Sequence, residues 1–194
     1  MNYKKYKIVN SNNILTKPMK TENTMSLLNS FYSDLKLVNE LVYTKCGFDL
    51  KNLKQLPESK EYVTCTFELN GRSIQQRTSK ITPSKSGQFV TIWKRNKEGI
   101  TEPFNVLDDL DFIIITSKNE NYFGQFIFPK SVLAEKGIIT RNGKIGKRGI
   151  RVYSPWDIAT NAQAIKTQIW QTKYFIKIRN DHSTDLELTK KLLS

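Results

Sequence analysis

The chain is poor in the residues from which many catalytic and structural sites are built. Its 194 residues include two cysteines, Cys46 and Cys65, and a single histidine, His182. Two cysteines are too few for a disulfide scaffold, and their spacing does not suit a zinc site. No segment approaches the about 18 apolar residues of a transmembrane helix, and the start, MNYKKYKIVN, lacks the apolar core of a signal peptide. We therefore expect a cytoplasmic protein with reduced thiols, no bound cofactor and no membrane partner.

Acidic residues are scarce relative to basic ones. There are 18 Asp and Glu against 31 Lys and Arg, which gives a net charge of +13 and an isoelectric point near 9.7. An excess of this size favours a polyanionic partner such as nucleic acid, an anionic membrane or an acidic protein. Hydrophobic residues make up 38% of the chain, which is typical of a globular protein. The composition therefore predicts a folded basic domain.

The order of predicted elements indicates an α+β fold. We expect a flexible basic arm over residues 1–22, a single domain over 23–180 and a polar tail over 181–194. The strand-rich body, residues 60–157, alternates apolar and polar residues and contains Asn70-Gly71, a strong hairpin signal. Its segment DFIIIT is apolar without a break, which is typical of a central buried strand. We predict a mainly antiparallel or mixed sheet of about six strands, with helices packed on it.

Three helices are expected: one N-terminal, one short and one C-terminal. The spacing of apolar residues predicts them over 24–45, near 131–137 and over 160–178. The residues expected to begin or end them are Asn23 or Thr24, Gly47, Ser131, Gly137 and a capping box of Thr160 and Gln163. The apolar side of the last helix would consist of Ala162, Ile165, Ile169 and Ile176.

Basic residues are concentrated in two segments. Residues 72–99, the first basic segment, contain seven Lys or Arg and one acid, and residues 141–151, the glycine loop, contain five and no acid. Glycines at every third position would let this loop approach a phosphate backbone. Further lysines alternate with Trp170 on the predicted last helix, a pattern suited to backbone neutralisation and base stacking. The predicted nucleic-acid-binding residues are Arg77, Lys80, Lys85, Lys94, Arg95, Lys144, Lys147, Arg148, Arg151, Lys166, Trp170 and Lys173.

These patterns favour a non-enzymatic or weakly enzymatic nucleic-acid-binding protein, with DNA favoured over RNA. The residues suited to reading base edges are few, so we expect weak sequence preference. They are Gln75, Gln76, Gln88 and Asn142. The alternative for the glycine loop is a solubilising hairpin, and the alternative for the last helix is a solvated lysine face.

Two other functions remain open from the residues alone. A Mg²⁺-dependent nuclease would use Asp109 and Asp111 with Gln125 and Lys130, although the strand GQFIFPK lacks the Asp/Glu-x-Lys triplet of restriction endonucleases. Mg²⁺ would be a cofactor only in that case. A small-molecule or protein adaptor would instead use an aromatic pocket. Its lining would be Trp93, Phe126, Tyr153 and Trp156.

Five segments in chain order resemble the MepB family of small bacterial proteins. They are SKITPSKSGQFVTIWKR, DDLDFIIIT, FGQFIFPKSVLAEKGI, GKRGIRVYSPWD and AQAIKTQIW, and the resemblance runs over residues 61–178. It implies a single-domain cytoplasmic protein whose namesake is encoded beside a multidrug efflux pump and its repressor. The resemblance also implies nucleic-acid binding, with a distant likeness to restriction-enzyme folds, and it assigns no catalytic residues.

Overall fold

Two β-sheets stacked face to face form the body of the molecule. The structure, a computed structural model, describes residues 19–56, 64–179 and 184–194. The strands in these residues are β1 (Leu50–Leu56), β2 (Thr64–Leu69), β3 (Arg72–Thr78), β4 (Lys80–Thr82), β5 (Lys85–Thr91), β6 (Lys94–Arg95), β7 (Thr101–Glu102), β8 (Phe112–Lys118), β9 (Phe123–Pro129), β10 (Gly149–Val152) and β11 (Phe175–Ile178).

The large sheet has six strands and mixed direction. Its strand order is β1-β2-β3-β8-β9-β11. The small sheet has three strands in the order β10-β5-β4, and β6 and β7 form a separate two-stranded pair. The strands β3 and β8 pair in parallel, with Ile74 opposite Phe112, and the other neighbours in the large sheet are antiparallel. Asn70 and Gly71, at φ 50° and 76°, form the predicted hairpin turn between β2 and β3. The α+β fold with a mixed sheet is confirmed.

In the part of the chain that the structure describes, four α-helices flank the sheets. They are α1 (Met19–Val38), α2 (Lys130–Glu135), α3 (Ala162–Gln171) and α4 (Leu186–Leu193). The first continues through a π-helical turn, Asn39–Tyr43, and a 3₁₀ turn, Thr44–Cys46, and ends as predicted at Gly47, with φ 79°. No helix in the described ranges is both long and apolar enough to cross a membrane.

The strand β8 is buried on both faces, which explains its unbroken apolar run. Ile114 points to a core beneath α1 and α4 that includes Val42 and Leu193. Ile113 and Ile115 point to a second core, which the small sheet and α2 cover. Burying one such side chain contributes about 2 kcal/mol, so β8 anchors both cores. It is the predicted central strand.

The helix boundaries differ from the sequence prediction at both ends of the chain. The first helix begins at Met19, so residues 19–22 belong to it, and the rest of the predicted arm lies outside the described residues. The predicted closing helix ends at Gln171, and its last part is instead the strand β11. Phe175, Ile176 and Ile178 are buried there against β9. A short apolar run of this kind is compatible with either a helix or a strand. It forms a strand here because it pairs with the edge of β9.

Four further predictions are corrected. The sheet extends beyond the predicted strand-rich body, because β1, which precedes residue 60, pairs with β2, and the expected polar tail contains α4. The N-cap of α3 is Asn161, whose Oδ1 accepts from the Ala164 backbone N–H at 2.9 Å, and not Thr160. Pro129 precedes α2, so Ser131 lies inside that helix.

The side of α3 that faces the protein is also different. Its buried residues are Ala164 and Gln171, whereas Ile165 and Ile169 are 45% and 59% exposed. The predicted apolar side therefore faces solvent. Gln168 explains the orientation, because its Nε2 donates to the carbonyls of Ser154 and Asp157, both at 2.8 Å. Hydrogen bonds from amide side chains attach this helix, together with Trp170, which packs on Phe128 of the second core with ring centroids 5.3 Å apart.

Candidate functional site

The glycine loop begins with a tight turn. The backbone N–H of Lys144 donates to the Arg141 carbonyl at 3.0 Å, and the N–H of Arg141 donates back to Lys144 at 3.1 Å. Asn142 and Gly143 at the centre have φ 49° and 76°, as a type I′ turn requires. The side chains of Arg141, Asn142 and Lys144 are exposed. The turn therefore presents basic groups on a defined backbone.

The second glycine of the loop serves packing and not close approach to a ligand. A Cβ at Gly146 would lie 2.6 Å from the Ile138 carbonyl oxygen. The Gly146 N–H donates to Thr140 Oγ1 at 3.0 Å, and the Lys147 N–H donates to the Ile138 carbonyl at 2.8 Å. These bonds attach the loop to the segment after α2. The expectation that the glycine spacing serves phosphate approach is therefore wrong for Gly146.

Arg148 and Arg151 hold the loop and the small sheet together. The Arg148 Nε and Nη2 donate to the Thr101 carbonyl at 3.2 and 3.0 Å. The Arg151 Nη1 donates to the Gly87 carbonyl at 3.0 Å, and its Nη2 donates to Thr82 Oγ1 at 3.0 Å. All of these acceptors are uncharged, so these hydrogen bonds bring no negative charge next to either guanidinium group.

A cleft of about 480 Å³ lies between β10 and α3. The strand β10 is the outer strand of the small sheet, so one of its edges faces α3. Gln171 spans this edge, because its Nε2 donates to the Arg151 carbonyl at 3.1 Å and its Oε1 accepts from the Tyr153 N–H at 2.8 Å. A side-chain amide thus replaces the hydrogen bonds of a neighbouring strand. It also fixes the distance between the two walls of the cleft.

The cleft is lined by cations, amides and aromatic rings. Lys136 stands beside Trp170, with Nζ 5.8 Å from the ring centroid, and also pairs with the exposed Glu135. None of the described residues that line the cleft is acidic. The polar and aromatic lining residues are Lys136, Lys147, Arg151, Tyr153, Gln163, Thr167, Trp170 and Gln171. The cleft is therefore suited to an anionic ligand.

The structure brings three predicted residues from separate segments into this cleft, namely Lys147, Arg151 and Trp170. Lys166 and Lys173 lie on α3 or just after it, within one helical turn of Trp170, and both are exposed. Within the described residues no carboxylate forms an ion pair with Lys144, Lys147, Lys166 or Lys173. We call these six residues the basic surface: Lys144, Lys147, Arg151, Lys166, Trp170 and Lys173.

Lys136, Gln163 and Gln171 were missed from the sequence. Gln163 could have been found, because it lies seven residues, about two helical turns, before Trp170 and so shares one side of α3 with it, whereas Gln171 directly follows Trp170 and has no such spacing. Lys136 comes from another element, and no local pattern relates it to the cleft.

The prediction for Arg77 is wrong. Its side chain is 1% exposed, and its Nη1 donates to Thr64 Oγ1 at 2.7 Å while Nη2 donates to the Trp93 carbonyl at 2.5 Å. The guanidinium carbon also lies 5.7 Å from the Trp93 ring centroid. The physical reason is that β3 is an internal strand, covered by the segment that carries Trp93 and Phe104. An external phosphate cannot reach this guanidinium group.

Other cations of the first basic segment also have partners within the protein. Lys94 Nζ contacts the carboxylates of Glu102, at 3.2 Å, and Asp108. Desolvation would lower the pKa of Lys94, but hydrogen bonds to these two carboxylates outweigh it and raise the pKa. Arg95 donates to the Gly99 carbonyl at 2.7 Å and stands over the Trp93 ring. Lys80 is half-buried, and Lys85 is exposed at the start of β5.

The predicted base-reading residues are mostly inaccessible. Gln75, Gln76 and Gln88 are between 1% and 4% exposed. Gln76 donates to Thr116 Oγ1, and Gln88 accepts from Ser79 Oγ, so both satisfy polar groups in the interior. Asn142 alone among the four is exposed.

The nuclease candidates Asp109, Asp111 and Lys130 lie near one another, since the Lys130 backbone N–H donates to the Asp111 carbonyl at 2.8 Å, but Gln125 lies apart from them. Asp111 accepts from the Ser73 backbone N–H at 2.8 Å, and Lys130 Nζ donates to the Asp108 carbonyl at 3.1 Å. Gln125 lies at the other end of β9, about five residues or about 17 Å from Lys130, where it accepts from the Tyr43 hydroxyl at 2.7 Å. Asp109 is exposed beside Asp111. Within the described residues, no three His, Cys, Asp or Glu side chains are grouped so that they could bind one metal ion.

The four aromatic residues proposed for a small-molecule pocket lie in different environments. Phe126 is fully buried in the second core. Trp156 stacks on Tyr122, with ring centroids 5.2 Å apart, whereas Trp93 contacts Arg77 and Arg95. Tyr153 lines the cleft. Only Tyr153 is therefore placed to contact a ligand of the cleft.

Two comparisons identify relatives of this chain. The MepB-like family model matches residues 57–177, which include the glycine loop, β10 and α3. The crystal structure of MepB is similar to this one, with 34% sequence identity and a TM-score of 0.64 over 68% of this chain and 88% of that chain. No curated protein matches the chain. The resemblance of the five sequence segments is confirmed, and the chain belongs to the MepB-like family.

Proposed function

We propose that this protein binds nucleic acid in the cytoplasm, through contacts of the basic surface with backbone phosphates. One observation carries the proposal: cations from the end of α2, the glycine loop and β10 line one cleft, opposite Trp170 of α3, without an acidic residue in its lining. Such a surface concentrates positive potential where opposite charges inside the protein do not cancel it. Phosphate backbones are the polyanions that lysine-rich surfaces of this kind bind most generally.

The exposed ammonium groups of the basic surface favour phosphate contact over base reading. Three of the four residues first considered for base reading are buried, which leaves Asn142 at the surface. Gln163 and Thr167 line the cleft and could contact a sugar or a base. We therefore expect weak sequence preference and steep salt dependence. DNA remains the favoured partner over RNA.

The test is a salt titration of binding to fluorescently labelled DNA and RNA. The variant is Lys144→Glu/Lys147→Glu, because both side chains are exposed and neither has an ion-pair partner in the described residues. The matched control is Lys54→Glu/Lys191→Glu, which makes the same change of charge at exposed lysines of β1 and α4. We expect the loop variant to bind about tenfold or more weakly and the control to bind within about threefold of the wild type.

The slope of log affinity against log salt provides a second measure. Loss of two phosphate contacts should reduce its magnitude by about 1.4 to 1.8. The proposal fails if the wild type does not bind at low salt. It also fails if both double variants weaken binding equally, because net charge and not the basic surface would then be responsible.

A further inference from the structure

The outer face of the small sheet carries two aromatic rings that the cores do not use. On β5, Val90 is fully buried, so its neighbour Phe89 points away from the interior. On β10, Val152 is fully buried, and Tyr153 follows it on the outer face. Both rings are half-buried. Within the described residues neither contacts another aromatic ring, whereas Phe126, Phe128 and Phe175 do.

Each ring lies across the neighbouring strand, above a glycine. A Cβ at Gly149 would be 2.5 Å from Phe89 Cζ, and a Cβ at Gly87 would be 2.6 Å from Tyr153 Cδ1. The glycines therefore let the rings rest on the sheet and turn one face outward. Aromatic rings over glycines can serve strand pairing alone, so the charges around them decide whether they have a further role.

Cations flank the Phe89 ring in register. Phe89 is opposite Lys80 on β4 and opposite Arg151 on β10, so the three side chains form one row across the sheet. Neighbouring strands lie about 4.8 Å apart, which places a cation on each side of the ring. Lys85 is exposed at the start of β5. An aromatic face between cations complements a base whose flanking backbone carries phosphates.

This face is continuous with the basic surface, because Arg151 belongs to both and Tyr153 also lines the cleft. From these observations we infer that Phe89 and Tyr153 form a stacking platform for the bases of single-stranded nucleic acid. The inference rests on the proposed function and adds a substrate class to it. The bases of a duplex stack on each other and are not available to a protein ring, whereas unpaired bases can be splayed onto such a face.

The test compares single strands and duplexes of one sequence, in DNA and in RNA, with Phe89→Leu and Tyr153→Leu. Leucine keeps an apolar cover over each glycine but removes the aromatic face. The matched control is Tyr32→Leu, since Tyr32 is a 39% exposed aromatic residue on α1. We expect each platform variant to bind single strands about tenfold more weakly. Duplex binding should stay within about twofold of the wild type, as should both affinities of the control.

A second measurement keeps the inference testable if a leucine variant fails to fold. Single strands containing 5-bromouracil are cross-linked to the wild type by light, and the adducts are located by mass spectrometry. Adducts on Phe89 or Tyr153 support the platform.

Unchanged single-strand affinity of folded variants, equal loss for duplex and single strand, or adducts confined to other residues would each overturn it. In those cases the proposed function stands if Lys144→Glu/Lys147→Glu still weakens binding. Absence of binding by the wild type removes both proposals.

Discussion

The first basic segment and the glycine loop look equivalent in sequence but differ in structure. In residues 72–99, Arg77 is buried and Lys94 lies between two carboxylates. In the glycine loop, Lys144 and Lys147 are exposed, and no carboxylate among the described residues pairs with them. The difference shows that a count of charges along a segment does not give the potential at the surface. Partners from elsewhere in the chain determine it.

The acidic connector explains the difference. Glu102 and Asp108 lie within residues 101–120, where acids outnumber bases five to one. This segment folds back onto the first basic segment, since β7 pairs with β6 and places Glu102 opposite Lys94. The glycine loop comes later in the chain and faces α3, whose described residues include no acid. The acidic residues of 101–120 therefore offset charge in the first basic segment but not in the glycine loop.

The largest expected effect is on stability and concerns Arg77. Arg77→Met removes the donors to Thr64 and to the Trp93 carbonyl in the interior. We expect the free energy of unfolding to fall by about 3 kcal/mol, measured by urea denaturation, while the folded variant binds nucleic acid like the wild type. Arg95→Met, at an exposed site, serves as the control and should change stability by less than about 0.5 kcal/mol. Weaker nucleic-acid binding by folded Arg77→Met would contradict the conclusion that the buried Arg77 takes no part in binding.

Glycine substitutions test whether the backbone of the glycine loop matters more for nucleic-acid binding than the backbone of the first basic segment. Gly146→Ala would force a Cβ against the Ile138 carbonyl, displace the loop and cost about 2 kcal/mol. We expect binding to weaken with it, because Lys144 and Lys147 move. Gly99→Ala is the counterpart in the first segment, where φ is 81° and no atom lies within 4 Å of the added Cβ. Gly99→Ala should cost about 1 kcal/mol of stability and leave the dissociation constant unchanged. Weaker binding by Gly99→Ala but not by Gly146→Ala would argue against the glycine loop as the site of nucleic-acid contact.

Removing a single charge from each segment compares one lysine of the glycine loop with one lysine of the first basic segment. Lys147→Gln should weaken binding at about 0.1 M salt by about threefold, as expected for one lost phosphate contact. Lys94→Gln should change affinity by less than about 1.5-fold, since Glu102 and Asp108 already engage this ammonium group. Fluorescence anisotropy at matched ionic strength measures both. Equal effects would mean that the internal ion pairs do not screen Lys94.

The smallest effect is a pH dependence of stability at Lys94. Its carboxylate partners raise its pKa above the ordinary 10.5. A lysine with a raised pKa in the folded state contributes stability that is fully present below 10.5 and is lost as pH rises through the raised value. The site is partly exposed, so the contribution should be below about 1 kcal/mol. The difference in free energy of unfolding between the wild type and Lys94→Met should therefore be constant from pH 7 to pH 10 and become smaller above pH 10. A difference that increases above pH 10.5 would mean that folding lowers the pKa of Lys94 instead of raising it.

Local signals in the sequence predicted the turns and the central strand well. Asn70-Gly71 and Gly47 have the positive φ angles that their residue types indicated, because a turn depends on few neighbours. The apolar run of β8 predicted burial on both faces. Ile176 could not be assigned in the same way, because the same residues fit a helix end or a strand. Only the available edge of β9 selected β11.

The sequence by itself determined the α+β class, the net positive charge, the tight turn of the glycine loop and the membership of a family. These follow from composition, periodicity and residue types that act over short distances. Tertiary structure decided which cations are available. It buried Arg77, engaged Lys94 with acids and gathered Lys147, Arg151 and Trp170 around one cleft. The reason is physical: the energy of a charge depends on the groups within a few ångströms of it, and chain folding brings those groups from distant positions.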